Sequence, residues 1–303
     1  MDQFQTLRPL LFSIAYRMTG SASQAEDIVQ DAYLRYQQTE TATIHSLKSY
    51  LTTIVANLSL NYLKSAHVQR EEYIGIWLPE PILTSLVDGE SLEAKVEQQE
   101  SISIAFLVLL EALTPPERAV FLLHEVFDYS FVEIAEIIEK TPENCRQLFH
   151  RAKSYIAKKR QRPTASPETH RQLMESFVSA CQSGNLSVLT NLLASDVTAW
   201  ADGGGKVHAG LLPVSGQETV AKLFLVLMRK VPANHQLFIE EVNGAPALLS
   251  WGESRLNVVL TLDIFDNTIV GLRSILNPDK LAFLQHQLER RQEQQQLDCK
   301  KLE

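Results

Sequence analysis

One stretch, 131–153, narrows the possible folds of this chain more than any other. Phe131, Ile134, Ala135, Ile137 and Ile138 recur at helical spacing and predict a helix with one apolar face. Lys140-Thr141-Pro142 interrupts the pattern. Thr141 suits an N-cap, and Pro142 suits the first helical position, where a missing N–H costs nothing. The second helix then directs Glu143, Asn144, Arg146, Gln147, His150, Arg151 and Lys153 outward, with Cys145, Leu148, Phe149 and Ala152 available for packing. That is the format of a helix-turn-helix whose second helix enters a DNA major groove. Between Lys140 and Arg162 eight Lys/Arg side chains stand against one acid, Glu143. The same residues also fit a solvated basic helix end favoured by the macrodipole, and the rest of the chain has to decide.

The net charge of −8 runs against nucleic-acid binding, but its distribution does not. Residues 71–117 hold ten acids and a single base, Lys95, ahead of the basic segment. A screening length near ~10 Å lets such patches act separately. The length, 303 residues, suggests two domains or three small ones, and 45% apolar with 21% charged residues allows ordinary packed cores. No apolar run reaches the roughly 18 residues a bilayer span needs, and Met1-Asp2-Gln3 does not begin a signal peptide. Cys145, Cys181 and Cys299 fit a reduced cytoplasmic protein without disulfides or a metal site, and no cofactor is expected.

Residues 4–68 have helical patterning, with Phe4, Leu7, Leu10, Leu11, Ile14, Ala15 and Met18 on one face of the first helix. A break at Thr19-Gly20-Ser21 precedes a second helix, and Leu47 to Ala66 reads as a third. Glu71 to about Glu100 reads as an acidic linker, and helix resumes from Ile102 to Tyr155. Beyond Arg160 the character changes. Helices are predicted at Glu168–Ser183, Leu186–Leu193 and Glu218–Lys230. Strands are predicted at Val197–Ala201, Gln236–Val242, Ala247–Trp251, Leu256–Ile264 and Ile269–Ile275. Helices beside an antiparallel meander predict an α+β domain, and the glutamine-rich tail from Gln285 reads as an exposed helix that frays.

The first half resembles the sigma-70 type initiation factors of bacteria, in particular the small extracytoplasmic-function sigma factors. The resemblance lies in Leu10-Leu11-Phe12-Ser13-Ile14-Ala15-Tyr16-Arg17-Met18 followed by Ala25-Glu26-Asp27-Ile28-Val29-Gln30-Asp31-Ala32-Tyr33-Leu34-Arg35. Ser49 to Leu58 is similar to the helix that meets the −10 promoter element, and the helix-turn-helix takes the place of region 4, which reads the −35 element. Arg70-Glu71-Glu72-Tyr73 with Trp77-Leu78-Pro79-Glu80-Pro81 resembles the linker motif of the subgroup carrying a fused SnoaL-like domain. Gly75-Ile76 stands where Gly-Pro is expected. Asp202-Gly203-Gly204-Gly205-Lys206 and Asn277-Pro278-Asp279-Lys280-Leu281 resemble that domain's two signatures.

The resemblance implies a multidomain chain: two all-α helical domains, the second a helix-turn-helix, then an α+β SnoaL-like domain with the cone-shaped fold of nuclear transport factor 2. The expected map is region 2 at 1–70, linker at 71–101, region 4 at 102–162, SnoaL-like domain at 168–290 and tail at 291–303. It implies core RNA polymerase and promoter DNA as partners, with no membrane. Glu26, Asp27, Gln30, Asp31 and Arg35 become the polymerase dock, although unaided they read as a solvated helix face. Asn57, Asn61, Lys64, His67 and Arg70 are the −10 candidates, since Asn and Lys suit base edges and phosphates. The outward residues of the second helix, Glu143 to Lys153, are the −35 candidates. Trp77 to Pro81 reads as a stiff apolar hook for the 202–206 and 277–281 loops, coupling the C-terminal domain to transcription.

Two rival readings remain at this level. One is a ligand-sensing transcription factor that binds DNA alone. The other is a SnoaL-type cyclase or isomerase fused to a DNA-binding half, with Trp200, Asp202, His208, Trp251 and Asp263 lining a pocket that also suits a small-molecule ligand. No acid–base pair at a defensible spacing supports catalysis, and the expectation is that the chain is not an enzyme.

Overall fold

The chain passes between two structural units three times. In the computed structural model, which describes residues 3–39, 44–84, 102–159 and 166–302, one unit comprises Met1–Glu72 with Ser85–Arg160 and the other Tyr73–Thr84 with Gln161–Glu303. The expected linker is therefore divided. Its first part, Tyr73–Thr84, is built into the C-terminal unit, and 85–101 lies outside the described residues.

The first unit is helical. Helices α1 (Gln3–Thr19), α2 (Ala22–Gln37) and α3 (Leu47–Glu71) pack on one another. Leu11, Ile14, Ala15 and Met18 are buried, as are Ala25, Ile28, Val29 and Ala32 of α2 and Leu51 and Val55 of α3. Ser21 caps α2 by accepting from the Gln24 N–H at 3.2 Å. The second set is α4 (Ile104–Glu111), α5 (Pro115–Glu125), α6 (Phe131–Ile137) and α7 (Pro142–Lys159). Ser130 and Glu133 form a capping box at α6, and the two Ser130 hydrogen bonds hold the Glu133 carboxyl below the usual range. Glu139, at φ +55°, turns the chain, and Thr141 accepts from the Asn144 N–H at 3.2 Å to start α7. Helix α5 packs against α1 and α3, and α6 against α3.

The second unit contains α8 (Pro167–Ser183), α9 (Leu186–Leu192), β1 (Leu193–Asp202), β2 (Val214–Ser215), α10 (Gln217–Arg229), β3 (Gln236–Val242), β4 (Ala245–Gly252), β5 (Arg255–Phe265), β6 (Thr268–Ile275) and α11 (Pro278–Leu302). Asn243, Glu253, Ser254, Asp266 and Asn267 take positive φ at the hairpin turns, which tightens β3 to β6 into a meander. The sheet order is β2-β1-β6-β5-β4-β3, and β1 runs parallel to β6. The predicted meander thus describes only part of the sheet. Phe177, Leu189, Val220 and Phe224 from the helices pack with Val197, Leu248, Leu260, Leu262 and Leu272 on one sheet face. Side chains one step along each strand, such as Asp202, Val259 and Ile275, face the other way, toward α11. The predicted tail is helical, as part of α11 from Pro278 to Leu302, but it is not wholly exposed: Leu288 is buried and Arg291 is paired to Glu240.

Candidate functional site

In the second unit the three motifs of the sequence reading meet at one buried carboxylate. Asp202 ends β1 and is 0% exposed. Its Oδ1 accepts from the Tyr73 hydroxyl at 2.5 Å, and its Oδ2 from the Leu78 N–H at 2.7 Å and the Lys280 ammonium at 2.6 Å. Lys280 also donates to the Leu78 carbonyl at 2.5 Å and lies over the rings of Tyr73 and Trp77, 4.7 and 4.2 Å from their centroids. Asn277 donates to the Tyr73 hydroxyl at 2.9 Å, and the Asn277 and Leu276 N–H groups donate to the Asp202 carbonyl. Burial, followed by the hydrogen bond to Asp202, pushes the Tyr73 phenol above its usual range.

The glycines give this clasp its space. Gly204 has φ +58°, and a Cβ there would stand 2.7 Å from Asn277 Cγ and 2.9 Å from the Tyr73 hydroxyl. The linker strip then runs on along the unit. Ile82 N–H donates to Asn243 Oδ1 at 3.0 Å, Leu83 N–H to Gln287 at 2.9 Å, and Gly244 N–H to Thr84 at 2.8 Å. Leu78, Glu80, Ile82 and Leu83 are buried. Pro79 and Pro81 donate no N–H, and the strip's donors are Leu78, Ile82 and Leu83. Of the two lysines in these loop motifs, Lys206 is exposed and pairs with Asp279, and Lys280 is the one that meets Trp77.

In the first unit every −35 candidate is on the surface. Glu143, Asn144, Arg146, Gln147, His150, Arg151 and Lys153 are exposed, while Cys145, Leu148, Phe149 and Ala152 are buried as the periodicity predicts. The Arg146 guanidinium lies over the Phe131 ring and 3.6 Å from Glu143. Arg151 meets Glu117 and Lys153 meets Glu125, each at 3.1 Å. Exposed pairs of this kind contribute at most about 1 kcal/mol, so phosphate can displace them. Asp27, Gln30, Asp31 and Arg35 share the exposed side of α2, and Glu26 pairs with Arg8 at 2.5 Å. Asn61 and Lys64 are exposed on α3 and Asn57 is half-buried; the side chains of His67 and Arg70 lie outside the described residues.

Of the residues expected to line a pocket, Trp200, Asp202, His208, Trp251 and Asp263, several are engaged elsewhere. The helix-facing side of the sheet is filled by apolar side chains. Asp202 belongs to the clasp, and His208 is exposed. On the opposite face Asp263 is ion-paired to Arg273, whose guanidinium lies 4.4 Å from the Trp200 ring centroid; burial pushes Arg273 down to about 10. Among the described residues no cluster of His, Cys, Asp and Glu could hold a metal ion, and no helix is long and apolar enough to cross a membrane.

Sequence reasoning singled out the linker motif, but it assigned no role to Tyr73 or to the partners Asn243 and Gln287. A tyrosine next to a Pro-rich apolar run was the available signal for the first; Asn243 and Gln287 gave none.

With the two units described, the class follows from comparison with known proteins. The sigma-70 region 2 model matches residues 3–68, and the sigma-70 region 4 model matches residues 103–156. The chain is 32% identical over 294 residues to the ECF RNA polymerase sigma factor SigJ of Mycobacterium tuberculosis, covering 93% of each chain. It is 31% identical over 283 residues to the probable ECF sigma factor SigI of the same organism, covering 93% of this chain and 94% of that one. The crystal structure of M. tuberculosis SigJ superposes with a TM-score of 0.73 at 31% identity, covering 93% of this chain and 98% of that chain. The chain belongs to the extracytoplasmic-function family of RNA polymerase sigma factors, and its C-terminal side is a mixed α+β domain built on a six-stranded sheet.

Proposed function

We propose that this chain directs core RNA polymerase to promoters from the cytoplasm, performs no bond chemistry, and carries its own regulator. The exposed face of α7 from Glu143 to Lys153 reads the −35 element, with Arg146 and Gln147 at base edges. Asn57, Asn61, Lys64, His67 and Arg70 along α3 serve the −10 element, and Glu26, Asp27, Gln30, Asp31 and Arg35 on α2 dock the polymerase. Control by the C-terminal unit rests on one observation: buried Asp202 and Lys280 grip Tyr73 and Leu78 in the segment that joins the two promoter readers. A regulator held at that place acts on both readers at once.

Run-off transcription with core polymerase tests the proposal. Asp31→Arg should lose core binding while remaining folded, because charge reversal on a docking rim excludes the partner. Tyr73→Phe removes one hydroxyl from the clasp and should alter transcript yield several-fold. No promoter-specific transcript from the full chain would refute the sigma activity. Unchanged yield with Tyr73→Phe would refute the regulatory role.

A further inference from the structure

Phe131 opens α6, and its place is fixed from both sides. Ser130 caps the helix, accepting from the Glu133 N–H at 3.3 Å, while the Ser130 N–H donates to the Glu133 carboxylate at 2.8 Å. The Phe131 ring stacks on His124 of α5, 4.2 Å between centroids, and meets the buried Phe149 of α7 edge-on at 5.6 Å. His124 is itself edge-on to Phe149 at 4.7 Å, with its Nδ1 2.8 Å from the Tyr129 carbonyl. One ring from each of α5, α6 and α7 thus joins a single aromatic cluster.

Arg146 lies on that cluster. It follows the buried Cys145, so it leaves α7 at the margin of the packed face and crosses the Phe131 ring, its guanidinium carbon 5.6 Å from the centroid. Half of its side chain stays exposed, and Glu143, one turn earlier, stands 3.6 Å away. A guanidinium stacks through its face and donates through its edge. Phe131 therefore engages Arg146 without using the donors that a guanine edge would take. The Glu143 carboxylate does compete for those donors, but an exposed pair of this kind is weak and gives way to a base. Lys153 also rests on the cluster, 5.1 Å from the Phe149 centroid, yet an ammonium has no plane to orient.

We propose that Phe131 is a positioning residue for −35 recognition: its ring holds the Arg146 guanidinium in the orientation that meets a base edge. This rests on Arg146 reading the −35 element, as proposed above, and adds what sets that arginine apart from the other cations of α7. A free arginine side chain loses its rotamer freedom on binding, and fixing it beforehand removes that cost from recognition. The ring stays engaged in the free and the bound chain, whereas Glu143 is exchanged for the base.

Promoter-library transcription with core polymerase and the full chain tests this, beside NMR of the Arg146 side chain, assigned with Arg146→Lys. Phe131→Leu keeps an apolar side chain and removes the aromatic face. It should lower use of the preferred −35 sequence about two- to fivefold and relax the same positions as Arg146→Ala. Phe131→Tyr, which retains the ring, should restore both. Phe131→Leu added to Arg146→Ala should change almost nothing further, because the two act on one contact. In wild type the Arg146 guanidinium protons should be shifted upfield by the ring, and Phe131→Leu should abolish the shift. A uniform loss across the library with unchanged selectivity in Phe131→Leu would overturn the proposal, since that is what packing alone predicts. So would unshifted Arg146 protons in wild type, a readout that needs neither transcription nor a folded Phe131 variant. If Arg146→Ala itself leaves selectivity intact, the base-reading role falls and the positioning role with it. Where Arg146→Ala does relax selectivity, an unaltered profile in Phe131→Leu removes the positioning role alone.

Discussion

Asp202→Asn is the most informative single change in the C-terminal unit. The carboxylate is wholly buried and accepts from Tyr73, Leu78 and Lys280, so the neutral amide leaves the Lys280 ammonium, 8% exposed at its side chain, without a counter-ion. Breaking a buried ion pair from one side costs about 3–5 kcal/mol. In a unit of roughly 150 residues each kcal/mol moves Tm by about 2–4 °C, so the expected loss is about 6–20 °C. Lys280→Met should do comparable harm by stranding the carboxylate. The pair Asp202→Asn with Lys280→Met removes both charges and should recover much of the loss, a coupling of about 1–3 kcal/mol. The assay is selective because Trp77, Trp200 and Trp251, the only tryptophans, all belong to this unit. Tryptophan fluorescence during thermal unfolding of the full chain therefore reports on it alone. A shift below about 2 °C for either single variant, or strict additivity in the double, would refute the clasp as a structural anchor.

Three further outcomes are expected. His170 is buried with no hydrogen-bond partner at Nε2, and burial pushes it down to about 4. The unfolded chain takes up its proton near pH 6.5, so stability is full above that pH and falls by about 3 kcal/mol as pH drops toward 4. His170→Leu should flatten that part of a urea-midpoint profile, and an unchanged slope would dismiss it. Gly204→Ala, strained at φ +58° and set against Asn277 and Tyr73, should lower Tm more than Gly205→Ala, whose new Cβ meets the movable Ile74 side chain. In a promoter-library assay, Arg146→Ala should relax selectivity at one or two −35 positions, whereas Lys158→Ala should weaken all promoters alike; matching profiles would contradict the split.

The helix-turn-helix was legible because its signals are local. Ser130 and Thr141 cap the two helices, and Pro142 follows at once. The strands β3 to β6 were legible for a similar reason, being separated by Asn, Asp and Gly turns that alternation alone delimits. Two features were not. Nothing near Leu193–Asp202 announces its parallel pairing with β6, which depends on packing across the sheet. The incorporation of Tyr73–Thr84 into the C-terminal unit rests on partners such as Asp202 and Gln287, 124 and 204 residues away. The family resemblance singled out the right motifs and with them both Lys206 and Lys280, but nothing local tells which lysine meets the hook, since only burial separates them.

The strip Tyr73–Thr84 also has a history in time. Leu83 leaves the ribosome long before Gln287, its partner 204 residues later. At ~5–20 residues per second, that interval lasts roughly 10–40 s. For the last 128 residues of it, roughly 6–26 s after Lys159 is made, α3 and α7 both exist while Leu78, Ile82 and Leu83 still lack the helix that will cover them. Under the proposed regulatory role, each newly made molecule thus passes through a brief youth in which polymerase can meet it before the C-terminal clasp is complete.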